Sequence, residues 1–187
     1  MKFATIGYVE WRKGQDILVD ALGGIPPEVL AGCEFLLVGQ DSSVLAQGLR
    51  GRISGKPWIQ MVGMVGREEV HQILDVTDVL ICPSREDPMP TVCAEAMMHR
   101  VPCLLSDAVG TAAYIADRVD GMVFKSGDSH DLREKILWCI RNKDAVEKMR
   151  SEAYKIYKTF FSVEAFEKNL LAYVGEMAGM ARGQTDG

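Results

Sequence analysis

No stretch of this 187-residue sequence is apolar for long enough to span a bilayer, and its five cysteines contain no CxxC pair. Lys2 is followed at once by a short strand-like segment, so no signal peptide is read, and a cytoplasmic location is expected. Cys33, Cys82, Cys93, Cys103 and Cys139 are odd in number and are expected to be reduced, buried thiols. No GxGxxG follows the first strand-like run, because Gly7 leads into Tyr8 and Val9, and a dinucleotide-binding reading loses its main support. The run Gly51 to Pro57 imitates a phosphate loop, but its glycine spacing is one short and a strand, not a helix, follows it. His71, His99 and His130 lack metal-ligand spacing and are each expected on a helix surface; no metal or other cofactor is expected. No Gly-x-Ser-x-Gly elbow is present. A net charge of -5 gives no support for nucleic-acid binding.

What is present is an alternation. Strand-like apolar runs at 3–7, 34–39, 58–62, 79–82, 102–106 and 122–124 are separated by helical patterns at 14–22, 43–50, 68–76, 91–99 and 111–117. Near-continuous apolar strands alternating with helices predict an α/β, doubly wound, six-stranded parallel sheet covered on both faces. Beyond 124 the pattern is helical only, capped at Asp128 or Ser129, continuing over 143–160 and 163–180 with Ser162 as the last cap. The polar, glycine-rich tail 181–187 is expected to fray. Residues 1–187 read as one domain.

The informative run is Pro83 to Met97, PSREDPMPTVCAEAM. It leaves the apolar strand Val79-Leu80-Ile81-Cys82, passes two prolines and opens a helix near Thr91. Asp87 and Glu95 thus stand at the carboxyl end of a strand, where open α/β sheets bind ligands and helix N-termini hold anions. Glu95 is surrounded in sequence by Val92, Cys93, Ala94, Ala96 and Met97, so it either faces a polar ligand or pairs locally. Asp87 reads either as a ligand group or as a turn residue before Pro88. After the first strand, Gly7 permits a close turn, and Lys13 brings an ammonium to the same sheet edge. Gly63-Met64-Val65-Gly66 after the third strand is suited to a flat base, and Gly110 opens one more possible anion loop. Two acids beside a phosphate-ready helix start fit a ligand carrying both hydroxyls and phosphate.

Taken in order, these pieces resemble the C-terminal, donor-binding half of GT-B fold glycosyltransferases of family 4, the retaining group-1 family. The resemblance covers about residues 3–170 and rests on Gly7 to Lys13-Gly14, Phe35 to Gly39, Val62 to Val65, Asp78 to Ser84, Asp87 to Met97, Val101-Pro102 and Asp120 to Phe124. It implies that Glu95 holds the ribose of a nucleotide-diphospho-sugar and that Asp87 contacts the donor sugar. Lys13 then neutralises the diphosphate, aided by the amides of Met89, Thr91 and Val92, since Pro88 and Pro90 have none. Met64 and Val65 frame the base, and Gly7, Tyr8, Arg12 and Pro90 complete the donor site.

Departures from the family pattern are Asp87 for the usual Glu, Tyr8 where a second phosphate-binding Arg is common (with Arg12 a candidate substitute), and Ala113 for a Glu. The resemblance also implies an N-terminal acceptor-binding domain, because here Met1-Lys2 directly precedes the strand that begins the C-terminal half. The expectation is a retaining transferase, metal-free, inactive as an isolated domain, with peripheral membrane association of the intact enzyme left open. The last helix and the domain-facing surface are expected to drive homodimerisation of the isolated chain. Half of a sugar-nucleotide epimerase and a non-catalytic assembly module are the alternatives.

Overall fold

The computed structural model describes residues 1–183, with side chains through residue 175. Six strands form one all-parallel sheet: β1 (Lys2–Ile6), β2 (Glu34–Val38), β3 (Ile59–Gly63), β4 (Val79–Cys82), β5 (Cys103–Ser106) and β6 (Gly121–Phe124). Their spatial order is β3-β2-β1-β4-β5-β6, so strand addition reverses between β1 and β4. Phe3 lies opposite Phe35 on one side and Val79 on the other. All four β4 residues are buried, as a central strand of a sheet covered on both faces requires.

The helices are α1 (Gln15–Gly23), α2 (Pro27–Leu30), α3 (Val44–Ile53), α4 (Arg67–Asp75), α5 (Thr91–Met98), α6 (Ser129–Arg141), α7 (Lys143–Ile156) and α8 (Val163–Gly183). One core is built from Ile17, Leu18, Leu49, Phe35, Leu104, Leu132 and Ile136, and places α1, α3 and α6 on one sheet face. The other is built from Leu74, Leu80, Met97, Val101, Leu105 and Ala153, and places α4, α5 and α7 on the opposite face. Fully burying one Leu or Phe contributes about 1.5–3 kcal/mol. Each core therefore draws on many such side chains, and neither sheet face is left open.

Two capping assignments hold, Asp128 accepting from His130 N and Asp131 N and Ser162 from Ala165 N, and Ser43, expected inside its helix, instead caps it by accepting from Ala46 N. The helix expected over 111–117 is instead a 3₁₀ segment, Gly110–Tyr114, and the chain then turns extended at Ile115. The helix expected to run unbroken over 143–160 ends at Ile156 and widens into a π turn, Tyr157–Phe161. That widening points Tyr157 and Phe161 back toward α5. The first three residues of the tail expected to fray continue α8, and 184–187 lie outside the described residues. The short α2 and a 3₁₀ turn at Trp11–Lys13 were not expected from periodicity. Among the described residues no helix is long and apolar enough to cross a membrane. The thiols behave as core: Cys82, Cys93, Cys103 and Cys139 are buried, Cys33 is half-buried and all five are free, with burial pushing Cys139 up to about 12.

Gly14 sets how closely the two loops at the switch point approach. It has φ 69°, and a Cβ there would lie 1.9 Å from the Pro83 carbonyl oxygen. At Gly48, exposed on α3, a Cβ would meet nothing within 4 Å. Gly14→Ala is therefore expected to destabilise by at least about 2 kcal/mol, while Gly48→Ala stabilises by about 1 kcal/mol. Urea unfolding of the two variants checks the opposite signs.

Candidate functional site

Reversal of strand order places the carboxyl ends of β1 and β4 side by side, and the loops that leave them form the site. The first loop carries Gly7, Tyr8, Arg12 and Lys13; the second carries Asp87, Met89 and Pro90 and ends at Thr91. The Lys13 ammonium is ion-paired with the Asp87 carboxylate across 74 positions of sequence. The two side chains are only 19% and 9% exposed. Asp87 is therefore more than a turn residue. Its backbone also extends the sheet: Asp87 N–H donates to Ala108 O at 3.3 Å, and Gly110 N–H donates to Asp87 O at 2.9 Å.

The loops are knitted together by groups that the sequence did not single out. Arg85 donates to both oxygens of Asp16 at 2.8 and 2.7 Å and to Trp11 O at 2.6 Å, and its guanidinium lies 4.7 Å from the centroid of the Trp11 ring. Arg85 N–H reaches Arg12 O at 2.8 Å, and Gln15 Nε2 holds Tyr8 O at 2.7 Å. Arg12 is committed to Glu10 Oε1 at 3.1 Å and Glu86 O at 3.2 Å, so in this structure it fastens loop to loop. No spacing rule marks Arg85 and Asp16 as partners, since they meet only after β1 and β4 become neighbours.

At the start of α5 the amides of Met89, Thr91 and Val92 make no hydrogen bond among the described residues, whereas Cys93 N–H is bonded to Pro90 O at 3.0 Å. Free donors at the positive end of a helix dipole form an anion site. The Glu95 carboxylate likewise makes no hydrogen bond or ion pair among the described residues, although its backbone carbonyl accepts from His99 N–H at 3.1 Å. It lines a cavity of about 320 Å³ with Arg67, His71, Met89, Thr91, Thr111, Tyr157 and Phe161. Pro90 lines it too, and Val92 faces a small void beside Lys13.

Asp87 opens on a neighbouring hollow of about 510 Å³, shared with Pro88, Asp107, Gly110 and Ala113. The two carboxylates thus flank a ridge formed by Pro88-Met89 and Gly110-Thr111, not a single hollow. Gly7 has φ 147° beside the Lys13 stem, and Tyr8 is 60% exposed and lines neither hollow. Met64, 77% exposed, and Val65 stand in the β3–α4 loop just before Arg67, outside the lining of either hollow.

His130 lies exposed on α6 as expected, whereas His71 and His99, each expected on a helix surface, are half-buried against one another. His71 Nδ1 lies 2.8 Å from His99 Nε2, and His99 Nδ1 lies 2.7 Å from Asp75 Oδ1. Adjacent packing of α4 and the end of α5 brings them together. Among the described residues no three His, Cys, Asp or Glu side chains converge in a way that could hold a metal ion.

Fold and site together define a doubly wound α/β domain whose functional loops meet at a topological switch point. Residues 2–142 match the family model described as "Glycosyl transferases group 1", and the chain belongs to that family. It is 26% identical over 126 residues to the lipopolysaccharide glucosyltransferase WaaG of Escherichia coli, covering 67% of this chain and 33% of that protein. It is 34% identical over 88 residues to a glycogen synthase of Rhodopseudomonas palustris, covering 46% of this chain and 17% of that one.

Anabaena HepE in complex with UDP superposes with a TM-score of 0.81 at 22% identity, over 94% of this chain and 48% of HepE. The C-terminal domain of the group 1 glycosyltransferase LpcC of Francisella tularensis superposes at 0.73 with 16% identity, covering 87% and 86% of the two chains. The expected doubly wound half of a GT-B fold is therefore the fold observed. The chain spans about a third of the length of WaaG and about half that of HepE.

The Asp16–Arg85 clamp has a pH signature. Burial opposes ionisation of Asp16, but the bonds and charge of Arg85 outweigh it and hold the carboxyl below its ordinary value of 3.8. A depressed folded pKa contributes stability above the unfolded value and loses it as pH falls through the folded one. Arg85→Ala is expected to cost about 2 kcal/mol at pH 7 and progressively less below pH ~4. Chemical denaturation at several pH values measures this; a deficit that stays constant into acid contradicts the clamp.

Proposed function

We propose that this chain is the donor-binding half of a glycosyltransferase, and that its cleft takes a nucleotide-diphospho-sugar. The observation that carries the reading is the partly buried Lys13–Asp87 pair lying beside three unpartnered amides at the head of α5. A diphosphate reaching this point meets one ammonium and a set of preoriented N–H dipoles. As the bond from the sugar to the diphosphate breaks, negative charge grows on the departing oxygen where those groups already point, so their stabilisation is greatest in the transition state.

Asp87 then has two duties: it holds Lys13 in place before the ligand arrives, and it accepts from hydroxyls of the donor sugar in its own hollow. Glu95, free and half-buried, accepts from the ribose hydroxyls. Tyr8, Met64 and Val65, on the loops that follow β1 and β3, are the residues proposed to meet the base. Transfer with retention, and inactivity of this half alone, follow from the family resemblance. Complexes of HepE with UDP and with UDP-glucose favour a uridine nucleotide as the first probe.

Calorimetric titration with UDP, GDP and ADP tests the reading. At least one is expected to bind, with Glu95→Ala abolishing measurable binding and Lys13→Ala weakening it about tenfold or more. A wild-type chain that binds none of the three, or a Glu95→Ala variant of unchanged affinity, contradicts it.

In the whole enzyme the remaining polypeptide supplies the acceptor site. Helix α8 carries Val163, Phe166, Leu170, Tyr173 and Val174 at helical spacing, each at least 49% exposed, as a surface for that contact. In the isolated chain the same stripe is expected to pair two copies. Light scattering at tens of micromolar should report a dimer that Phe166→Glu with Tyr173→Glu converts to monomer; a wild-type monomer removes this part.

A further inference from the structure

We infer that His71 is a second ligand-binding acceptor in the Glu95 cavity, held in one tautomer by His99 and Asp75. The inference rests on the nucleotide reading of that cavity. Asp75 is a carboxylate and only accepts, so the 2.7 Å contact requires a proton on His99 Nδ1. A neutral His99 then has a bare Nε2, which accepts across 2.8 Å from His71 Nδ1–H. In a neutral His71 with its proton on Nδ1, Nε2 is the bare nitrogen, a lone pair on the ring that lines the cavity. The order Asp75, His99, His71 thus fixes what His71 offers to an occupant.

The cavity is consequently lined by two acceptors, the Glu95 carboxylate and His71 Nε2. Two acceptors on one cavity call for a ligand with two donors, and a vicinal diol supplies them. The ribose of a nucleotide is such a group, and neither acceptor is satisfied by protein among the described residues. Arg67 heads α4 on the same cavity, its guanidinium makes no hydrogen bond or ion pair among the described residues, and it adds a cation for a nearby phosphate. Helical spacing puts Arg67 and His71 on one face of α4, and Thr91 and Glu95 on one face of α5. His71 acts on ligand directly; His99 and Asp75 are positioning residues.

Two measurements on the full chain test this. Long-range proton–nitrogen NMR should show His71 protonated at Nδ1 and bare at Nε2, with Asp75→Asn disturbing that pattern. Calorimetry with UDP, 2′-deoxy-UDP and 3′-deoxy-UDP should show His71→Phe weakening UDP about five- to twentyfold, with a smaller penalty for a missing hydroxyl than in wild type. His71→Gln, which keeps an acceptor near the Nε2 position, should recover part of the loss, and Asp75→Asn should weaken UDP about threefold. If the chain prefers GDP or ADP, the same series with that nucleotide decides.

His71→Phe with wild-type affinity and an unchanged deoxy penalty, while Glu95→Ala still abolishes binding, overturns His71's role and leaves the nucleotide reading standing. Absence of all nucleotide binding in wild type overturns both. Should His71→Phe fail to fold by circular dichroism, His71→Gln and Asp75→Asn carry the decision, and wild-type affinity and tautomer pattern in both overturn the inference.

Discussion

Lys13 and Asp87 meet because the sheet adds strands in one direction up to β3 and in the other from β4 onward. That reversal leaves the carboxyl ends of β1 and β4 adjacent, with no crossover helix to fill the gap between their loops. Everything else at the site serves this junction. Gly14 permits the contact with Pro83, and Arg85 ties Asp16 and the Trp11 carbonyl to the β4 loop. Taking two charges this far out of water is costly, and their mutual attraction roughly offsets the cost. The pair is best understood as a device for position: it keeps at the sheet edge an ammonium that an unpaired lysine would carry out into solvent.

Around the junction the architecture separates binding tasks. The head of α5 offers amides, and the ridge of Pro88-Met89 against Gly110-Thr111 divides one hollow at Asp87 from another at Glu95. The proline residues sharpen this arrangement: with no N–H of their own, they leave the donors at Met89, Thr91 and Val92. The π turn after α7 brings Tyr157 and Phe161 to the far wall, which gives the Glu95 cavity an apolar side opposite its charged one.

How legible this was in the sequence depended on the range of the interaction. All six strands were readable because each is a short apolar run bounded by turn residues, and the Asp87–Glu95 block was readable because its signals lie within one loop and one helix. Arg85–Asp16 and His71–His99–Asp75 were not: their partners lie 69, 28 and 24 positions apart, and only the packed helices and loops juxtapose them. The 3₁₀ segment at Gly110 and the π turn at Tyr157 escaped periodicity for a related reason. Both are local departures from a 3.6-residue repeat imposed by tertiary contacts. Arg12 meets Glu10 and, from the facing loop, the Glu86 carbonyl, a second partner 74 positions away that the sequence does not mark.

The central claim is that a nucleotide diphosphate binds at the β1–β4 junction and the head of α5, beside the hollow that Glu95 lines. The most direct measurement is a backbone amide NMR titration of the chain with UDP or whichever diphosphate binds. The largest shifts should fall on Gly7, Met89, Thr91 and Val92, with Arg67 and Glu95 next. Shifts confined to other surfaces, or none at saturating nucleotide, would contradict the account.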